Sequence, residues 1–218
     1  MTIRDRVQAG RLLAPKLAKY DRQPDLVVLA LPRGGVAVAA EVARALSAPL
    51  DALVVRKLGA PFDAELAMGA VADGEVCVLN QRVIAQGKIS AAAVEEAVER
   101  ETRELGRREK AYRPGRPPLE VRHLTVILVD DGIATGATMR AAISVLDQMH
   151  AQRVVVAVPV ASRASYLELR RRANEFVALA TPADFGAVGR FYEDFAPTTD
   201  AEVRALLDEN AHTHAHGH

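Results

Sequence analysis

Short apolar runs and helical segments alternate along the chain, and this alternation restricts the fold more than any other feature. The apolar runs, which are rich in Val, Ile and Leu, occupy residues 25–31, 50–56, 75–80, 124–129, 153–160 and 176–181. The segments with helical character occupy residues 3–20, 36–46, 90–112, 137–150, 163–173 and 200–210. Continuously apolar strands separated by helices are typical of a mostly parallel sheet that helices cover on both faces. We therefore predict one doubly wound α/β domain over residues 1–210, followed by a His-rich tail at 211–218 that we expect to be disordered.

Two of the helix starts carry capping residues. Ser90 precedes the long charged helix, and Thr199 with Glu202 has the spacing of a capping box before the last helix. Glu and Arg residues recur four apart along the charged helix, which is typical of a solvated helix face, although a docking face has the same pattern.

Composition excludes several classes of protein. The chain has 218 residues, half of them apolar, which is enough for one substantial core. Lys plus Arg equals Asp plus Glu at 28 each, so net charge does not point to nucleic acid or to an acidic membrane surface. Cys77 is the single cysteine, so there is no internal disulfide and a reducing compartment suits the chain. The first residues do not resemble a signal peptide and no apolar run reaches membrane-spanning length, so we expect a cytoplasmic protein without a membrane partner.

The segment "VDDGIATGAT", residues 129–138, combines two features that rarely occur side by side. Its "TGAT" part, at the start of a predicted helix, offers backbone N–H groups, hydroxyls and the positive end of a helix dipole, which suit a phosphate. The preceding Asp130 and Asp131 are acceptors that suit sugar hydroxyls or the water shell of Mg²⁺. The segment is neither a Walker A loop nor a dinucleotide fingerprint. A ligand with a phosphate at one end and a diol at the other, such as a ribose 5-phosphate, matches both parts.

The longer segment "VILVDDGIATGAT" resembles the 5-phosphoribosyl-1-pyrophosphate (PRPP) signature of type I phosphoribosyltransferases. An ordinary turn after an acidic strand end would explain the glycines, but not the paired acids together with the paired threonines. The resemblance implies a phosphoribosyltransferase fold with small hood elements from the chain ends. It also implies that the acids hold the ribose hydroxyls, and Mg²⁺ indirectly through ribose or water. The implied PRPP contacts in this segment are Asp130, Asp131, Gly132, Ala134, Thr135, Gly136, Ala137 and Thr138.

Three further segments match the same family. "PRGG", residues 32–35, is similar to its pyrophosphate loop, in which a basic residue and two glycines, here Arg33, Gly34 and Gly35, contact the diphosphate, often across a cis peptide. Arg56 and Lys57 close the second predicted strand, where the family commonly has basic residues before a flexible loop. "GAPFDAEL", residues 59–66, fits that loop, although its Ala-rich continuation is also compatible with regular structure. Glu65 in this segment is the candidate general base.

The activity that the resemblance implies is transfer of ribose 5-phosphate from PRPP to a nitrogenous base, with release of pyrophosphate. The residues assigned to catalysis are Arg33, Lys57, Asp130 and Asp131. Ala134 occupies the position of a third Asp in hypoxanthine–guanine enzymes, so a 6-oxopurine acceptor is less expected. A base could stack in an acceptor pocket formed by Phe185, Phe191 and Tyr192, but core packing explains these aromatic residues equally well.

Two other functions remain open. A PRPP-binding regulator could keep the fold and sense its ligand without transfer, often with an added nucleic-acid surface, which the zero net charge argues against. A generic phosphosugar enzyme would explain "TGAT" but not "PRGG". The expected partners are PRPP and a base, and a homodimer is compatible with the family.

Overall fold

The computed structural model describes residues 2–72 and 76–215, except the side chains of Glu65 and of residues 212–215. The β-strands are β1 (Leu26–Ala30), β2 (Leu50–Ala52), β3 (Val55–Ala60), β4 (Asp63–Ala72), β5 (Val76–Leu79), β6 (Thr125–Val129), β7 (Arg153–Val160) and β8 (Glu175–Ala180). The α-helices are α1 (Arg6–Leu13), α2 (Gly34–Ala45), α3 (Gln81–Gln86), α4 (Ala91–Tyr112), α5 (Ala137–Gln148), α6 (Arg163–Leu169) and α7 (Asp200–Ala215). No helix in this part of the chain has both the length and the apolar character that crossing a membrane requires.

The central sheet is parallel, as predicted. Its five strands run in the order β2-β1-β6-β7-β8, and every residue of β1 is buried. Consecutive residues of β6 face opposite sides: Ile127 and Val129 pack in one core with α2 and α7, whereas Val126 and Leu128 pack in another with α5 and α6. Helices therefore cover both faces, and the doubly wound α/β prediction is confirmed.

A second, antiparallel sheet was not predicted. Strands β3, β4 and β5 form it, in that order, and it packs against α4 and α5. The prediction of one strand over residues 50–56 was wrong, because β2 ends at Ala52 and the chain then leaves the parallel sheet to begin β3. Both halves are apolar and β-branched, so local pattern does not reveal which sheet each one joins. The segment 59–66 lies in the β3–β4 hairpin, with Ala60 paired to Asp63 across the turn.

The N-terminal helix is shorter than predicted. Helix α1 ends at Leu13, and residues 14–20 form a 3-10 helix that has Pro15 as its second residue. Proline has no N–H to bond to the preceding turn, so a single α-helix over 3–20 is not maintained. Ile3 lies before α1 and forms a bridge with Tyr192, which brings segments near both chain ends together.

Predicted helix caps agree with the structure. The Ser90 hydroxyl accepts from the backbone N–H of Ala93 at 3.2 Å. The N–H of Glu202 donates to Thr199 Oγ1 at 3.2 Å, and the N–H of Thr199 donates to Glu202 Oε2 at 2.7 Å. Helix α7 continues to Ala215, five residues further than predicted. The rest of the expected tail, residues 216–218, lies outside the described residues.

Candidate functional site

The two motif loops lie beside each other at the carboxyl ends of neighbouring strands. Strand β1 leads into "PRGG" and β6 leads into "DDGIATGAT", and the two strands pair directly, with Ala30 opposite Val129. The order of the sheet reverses between β1 and β6, because β1 is followed by β2 on one side and the later strands continue on the other. Ligands of open α/β sheets bind outside the strand ends at such a switch point.

Glycines at the start of α2 allow close contact between the two loops. A Cβ on Gly35 would lie 2.9 Å from the carbonyl oxygen of Val129 and 3.0 Å from Cα of Asp130. A Cβ on Gly34 would overlap the Asp131 carboxylate and lie 2.8 Å from Nε of Arg6. Any side chain at these positions would therefore push the acidic pair away from the "PRGG" loop.

Arg33 is accessible in the first loop. Its side chain is half-exposed, and Nη1 lies 3.5 Å from Oδ1 of Asp200, the first residue of α7. The Pro32–Arg33 peptide bond is cis, as the resemblance implied for this position. A long, exposed cation beside two glycines at a helix start can reach an anionic ligand.

The two acidic residues have different surroundings. The N–H of Asp131 donates to Asp130 Oδ1 at 2.8 Å, and Asp131 Oδ2 accepts from Arg6 Nε at 2.8 Å. Burial and the adjacent Asp131 carboxylate raise the pKa of Asp130 well above its usual range. Arg6 thus compensates the charge of Asp131, whereas the surroundings of the Asp130 carboxyl group disfavour its ionised form.

The loop after the acids presents backbone N–H groups and hydroxyls at the start of α5, which suits an anion. Gly136 has φ +73°, a left-handed conformation that favours glycine, and it precedes the first helical residue, Ala137. Thr135 and Thr138 are exposed on either side of it. The carbonyl oxygen of Ala134 accepts from the hydroxyls of Ser162 and Ser165, both at 2.7 Å. These two bonds fix the loop from α6, so that its N–H groups and threonine hydroxyls are held at the surface.

Arg56 and Lys57 do not lie at a strand end of the parallel sheet, because they belong to β3. Arg56 donates from Nε and Nη2 to Glu101 Oε2 of α4 at 2.9 and 2.6 Å. Both residues line a cavity of about 510 Å³ between the β3–β4 hairpin and α4. Their assignment to PRPP stays a prediction. The side chain of Glu65, the candidate general base, lies outside the described part of the chain.

The three aromatic residues of the expected acceptor pocket are largely packed. Tyr192 is buried, and its hydroxyl donates to the carbonyl oxygen of Asp131 at 2.6 Å. Phe185 is also buried, with its ring 5.2 Å from that of Phe191. Tyr192 therefore supports the acidic loop from behind, whereas Phe191 is only partly buried.

Several residues that hold the site were not found from sequence. Arg6, Ser162 and Ser165 contact the motif, yet none belongs to it. Ser162 follows β7 at the same edge of the sheet and caps α6, so a polar residue just after a strand was a usable signal. Arg6 gave no such signal, because 125 residues separate it from its partner.

The donor set fits Mg²⁺ only as an indirectly held ion. Within residues 2–72 and 76–215, no three His, Cys, Asp or Glu side chains form a group that could hold a metal. Asp130 and Asp131 are hard oxygen donors, but Arg6 already engages one of them. These residues suit a Mg²⁺ ion that they contact indirectly, through water or the hydroxyl groups of a ligand.

A parallel sheet whose switch point carries these two loops is the core of a phosphoribosyl transferase domain. The chain belongs to this family: the model of the phosphoribosyl transferase domain matches residues 3–189.

Relatives agree with this assignment. The chain is 48% identical over 204 residues to a Mycobacterium tuberculosis protein named "Putative phosphoribosyl transferase Rv0571c" in strain H37Rv, and equally to its counterpart MT0597 in strain CDC 1551. The match covers 94% of this chain and 46% of each relative, so the chain spans about half the length of the curated relatives it matches. Among solved structures, TT1426 from Thermus thermophilus is 47% identical, with a TM-score of 0.89 over 96% of this chain and 99% of that one.

Proposed function

We propose that the protein transfers ribose 5-phosphate from PRPP to a nitrogenous base and releases pyrophosphate. The observation that carries the proposal is the adjacency, across β1 and β6, of a loop suited to a diphosphate and a loop suited to a ribose 5-phosphate. PRPP contains both a diphosphate and a ribose 5-phosphate. The family supports transferase chemistry, and the proposal adds the donor, the class of acceptor and a role in nucleotide metabolism in the cytoplasm.

The N–H groups at the start of α5, with Thr135 and Thr138, would bind the 5-phosphate. Asp130 and Asp131 would accept hydrogen bonds from the ribose hydroxyls, and Gly34, Gly35 and Arg33 would contact the diphosphate. These contacts fix both ends of the sugar and so present its C1 to the acceptor.

In the reaction the bond between C1 and the diphosphate oxygen breaks, and its electron pair leaves with pyrophosphate. The lone pair of the acceptor nitrogen forms the new C1–N bond, and a nitrogen-bound proton goes to solvent or to a base. Arg33 would stabilise the charge that grows on the leaving group, since a guanidinium fork binds a fully anionic oxygen pair best. A Mg²⁺ ion bound with the diphosphate would add positive charge there.

One position of the motif bears on the choice of acceptor base. Ala134 replaces the acid expected for 6-oxopurines, and its exposed side chain leaves that position without a charged contact. We expect an acceptor other than hypoxanthine or guanine, placed near Phe191.

Pyrophosphate release from PRPP, measured against a panel of nitrogenous bases with Mg²⁺, tests the proposal. We expect release that depends on one class of base and yields its nucleotide in equal amount. Arg33→Ala should lower turnover far more than PRPP affinity, because the leaving charge is complete only after the bond breaks. Arg11→Ala is the matched control, because Arg11 is an exposed arginine on α1. Absence of PRPP binding would contradict the proposal altogether.

The second candidate is a PRPP-binding regulator. Its supporting observation is that Arg56 pairs with Glu101 and Lys57 lies beside it in β3, so both assigned cations other than Arg33 lie in the second sheet. Tight Mg²⁺-dependent binding of PRPP without turnover with any base would favour it.

A further inference from the structure

Arg6 joins three separate segments at the proposed ribose site. Its Nε donates to Asp131 Oδ2 at 2.8 Å, and its Nη1 donates to the carbonyl oxygen of Ala196 at 2.8 Å. The guanidinium group lies 4.0 Å from the centre of the Phe195 ring. The missing side chain of Gly34 gives Nε the room it occupies. Arg6 thus contacts the acidic motif and the segment before α7, and it lies beside Gly34 of the "PRGG" loop.

The pair that Arg6 forms with Asp131 is largely shielded from water. Their side chains are 12% and 15% exposed, so the hydrogen bond is stronger than a surface ion pair would be. Asp131 is held from a second side by the Tyr192 hydroxyl on its carbonyl oxygen. A carboxylate fixed by both its side chain and its backbone has a defined orientation before any ligand arrives.

We propose that Arg6 is a positioning residue that makes Asp131 a selective acceptor for a ribose hydroxyl. This inference rests on the proposed function. Arg6 engages Oδ2, so Oδ1 remains the acceptor for a ligand hydroxyl. Because Asp131 and Arg6 compensate each other's charge, the pair adds little net attraction for phosphate. Its effect is on hydroxyl recognition, and the phosphate loop at the start of α5 works without it.

The test compares sugars that differ by one hydroxyl. Calorimetry measures the affinity of ribose 5-phosphate, 2-deoxyribose 5-phosphate, 3-deoxyribose 5-phosphate and inorganic phosphate for the wild type, Arg6→Met and Arg6→Lys. Methionine keeps an unbranched stem against Phe195 but has no donor. Arg4→Ala is the control, since Arg4 is exposed beside the same helix start and pairs with Asp5 instead.

We expect the wild type to prefer ribose 5-phosphate over at least one deoxy sugar by about tenfold or more, the usual effect of a hydrogen bond to a charged group. Arg6→Met should reduce this preference to about twofold and should weaken inorganic phosphate binding less than ribose 5-phosphate binding. Arg6→Lys, which retains the charge but cannot reach both partners, should lie between them. The Arg4 control should keep the full preference.

Other results overturn the inference. If Arg6→Met lowers the affinity for all four ligands by the same factor, Arg6 only supports the fold. If the wild type binds PRPP but does not distinguish the deoxy sugars, the role given to Asp131 is wrong while PRPP binding stands. Failure of the wild type to bind PRPP or ribose 5-phosphate would instead reject the proposed function.

Discussion

The central sheet has acidic side chains at both of its ends, and their surroundings differ. At the carboxyl end, burial and Asp131 raise the pKa of Asp130. At the amino end, Glu175 begins β8 and its Oε2 accepts from Lys19 at 2.8 Å, Tyr20 at 2.7 Å and Arg153 at 3.3 Å. Burial alone would raise the pKa of Glu175, but these donors outweigh it and the pKa is lowered.

The difference in surroundings distinguishes an acid that stabilises the fold from an acid that is available to a ligand. Glu175 is an acid whose charge the protein itself satisfies, so its ionised form stabilises the fold. Asp130 is an acid whose charge the protein satisfies poorly, which costs stability but leaves acceptor capacity for a ligand. Such costs are typical of functional sites. The comparison can be tested by substitutions that affect one end and not the other.

The largest effect is expected for Gly34→Ala. The new methyl group would overlap the Asp131 carboxylate and approach Arg6, so it must displace the acidic pair. We expect PRPP affinity to fall by about 100-fold or more, the loss of two charged hydrogen bonds. Calorimetry with PRPP and Mg²⁺ measures this, with a thermal melt to verify folding. Affinity within twofold of the wild type would show that this glycine does not shape the site.

Glu175→Gln should destabilise the fold without affecting the ligand. We expect the free energy of unfolding at pH 7 to fall by about 1–3 kcal/mol, because charged hydrogen bonds become neutral ones. Because the pKa of Glu175 is lowered in the folded protein, its ionised form stabilises the fold at pH values above the pKa of the unfolded chain, about 4.3. This contribution to stability is lost as the pH falls through the folded-state pKa. The difference from wild type should therefore shrink in urea titrations below about pH 4. The exposed Glu95→Gln is the control, and a difference independent of pH would contradict the explanation.

Asp130→Asn should have the opposite effect on the free energy of unfolding. A raised folded-state pKa means that the acid favours folding at low pH and loses this contribution as pH rises through the folded value. The neutral amide should raise the free energy of unfolding at pH 8 by about 1 kcal/mol, the usual size of a stabilising change at a functional site. The gain should vanish at acid pH, and PRPP affinity should fall. Urea unfolding at both pH values, with calorimetry, measures the two effects, and a loss of stability at pH 8 would reverse the comparison.

The smallest effect is expected for Gly106→Ala, on α4. Among the residues that the structure describes, nothing lies within 4 Å of a Cβ added there, in contrast to Gly34. Alanine should raise the free energy of unfolding by about 0.5–1 kcal/mol through helix propensity alone. PRPP affinity should not change. Urea unfolding checks the first expectation, and a change in affinity would mean that α4 communicates with the site.

Local patterns predicted much of the fold and the centre of the site. The apolar strands, the caps of α4 and α7 and the two motif loops depend on residues close in sequence. Strands β1 and β6 were recognised with errors of about one residue, and the parallel sheet implied that their carboxyl ends meet. Because the motif residues all follow those strand ends, the sequence alone places them at one edge of the sheet, whereas the strand order of the structure makes β1 and β6 neighbours there.

The tertiary structure alone decided which residues complete the site. Residues 50–56 look like one strand, but packing against α4 and α5 divides them between two sheets and directs Arg56 to Glu101. Arg6 reaches Asp131 only because α1 packs on α2 and its N-terminus lies beside the motif. Such contacts depend on how helices and sheets pack over more than a hundred residues. The periodicity of a short segment encodes which face is buried, and it does not encode the partner on the other side.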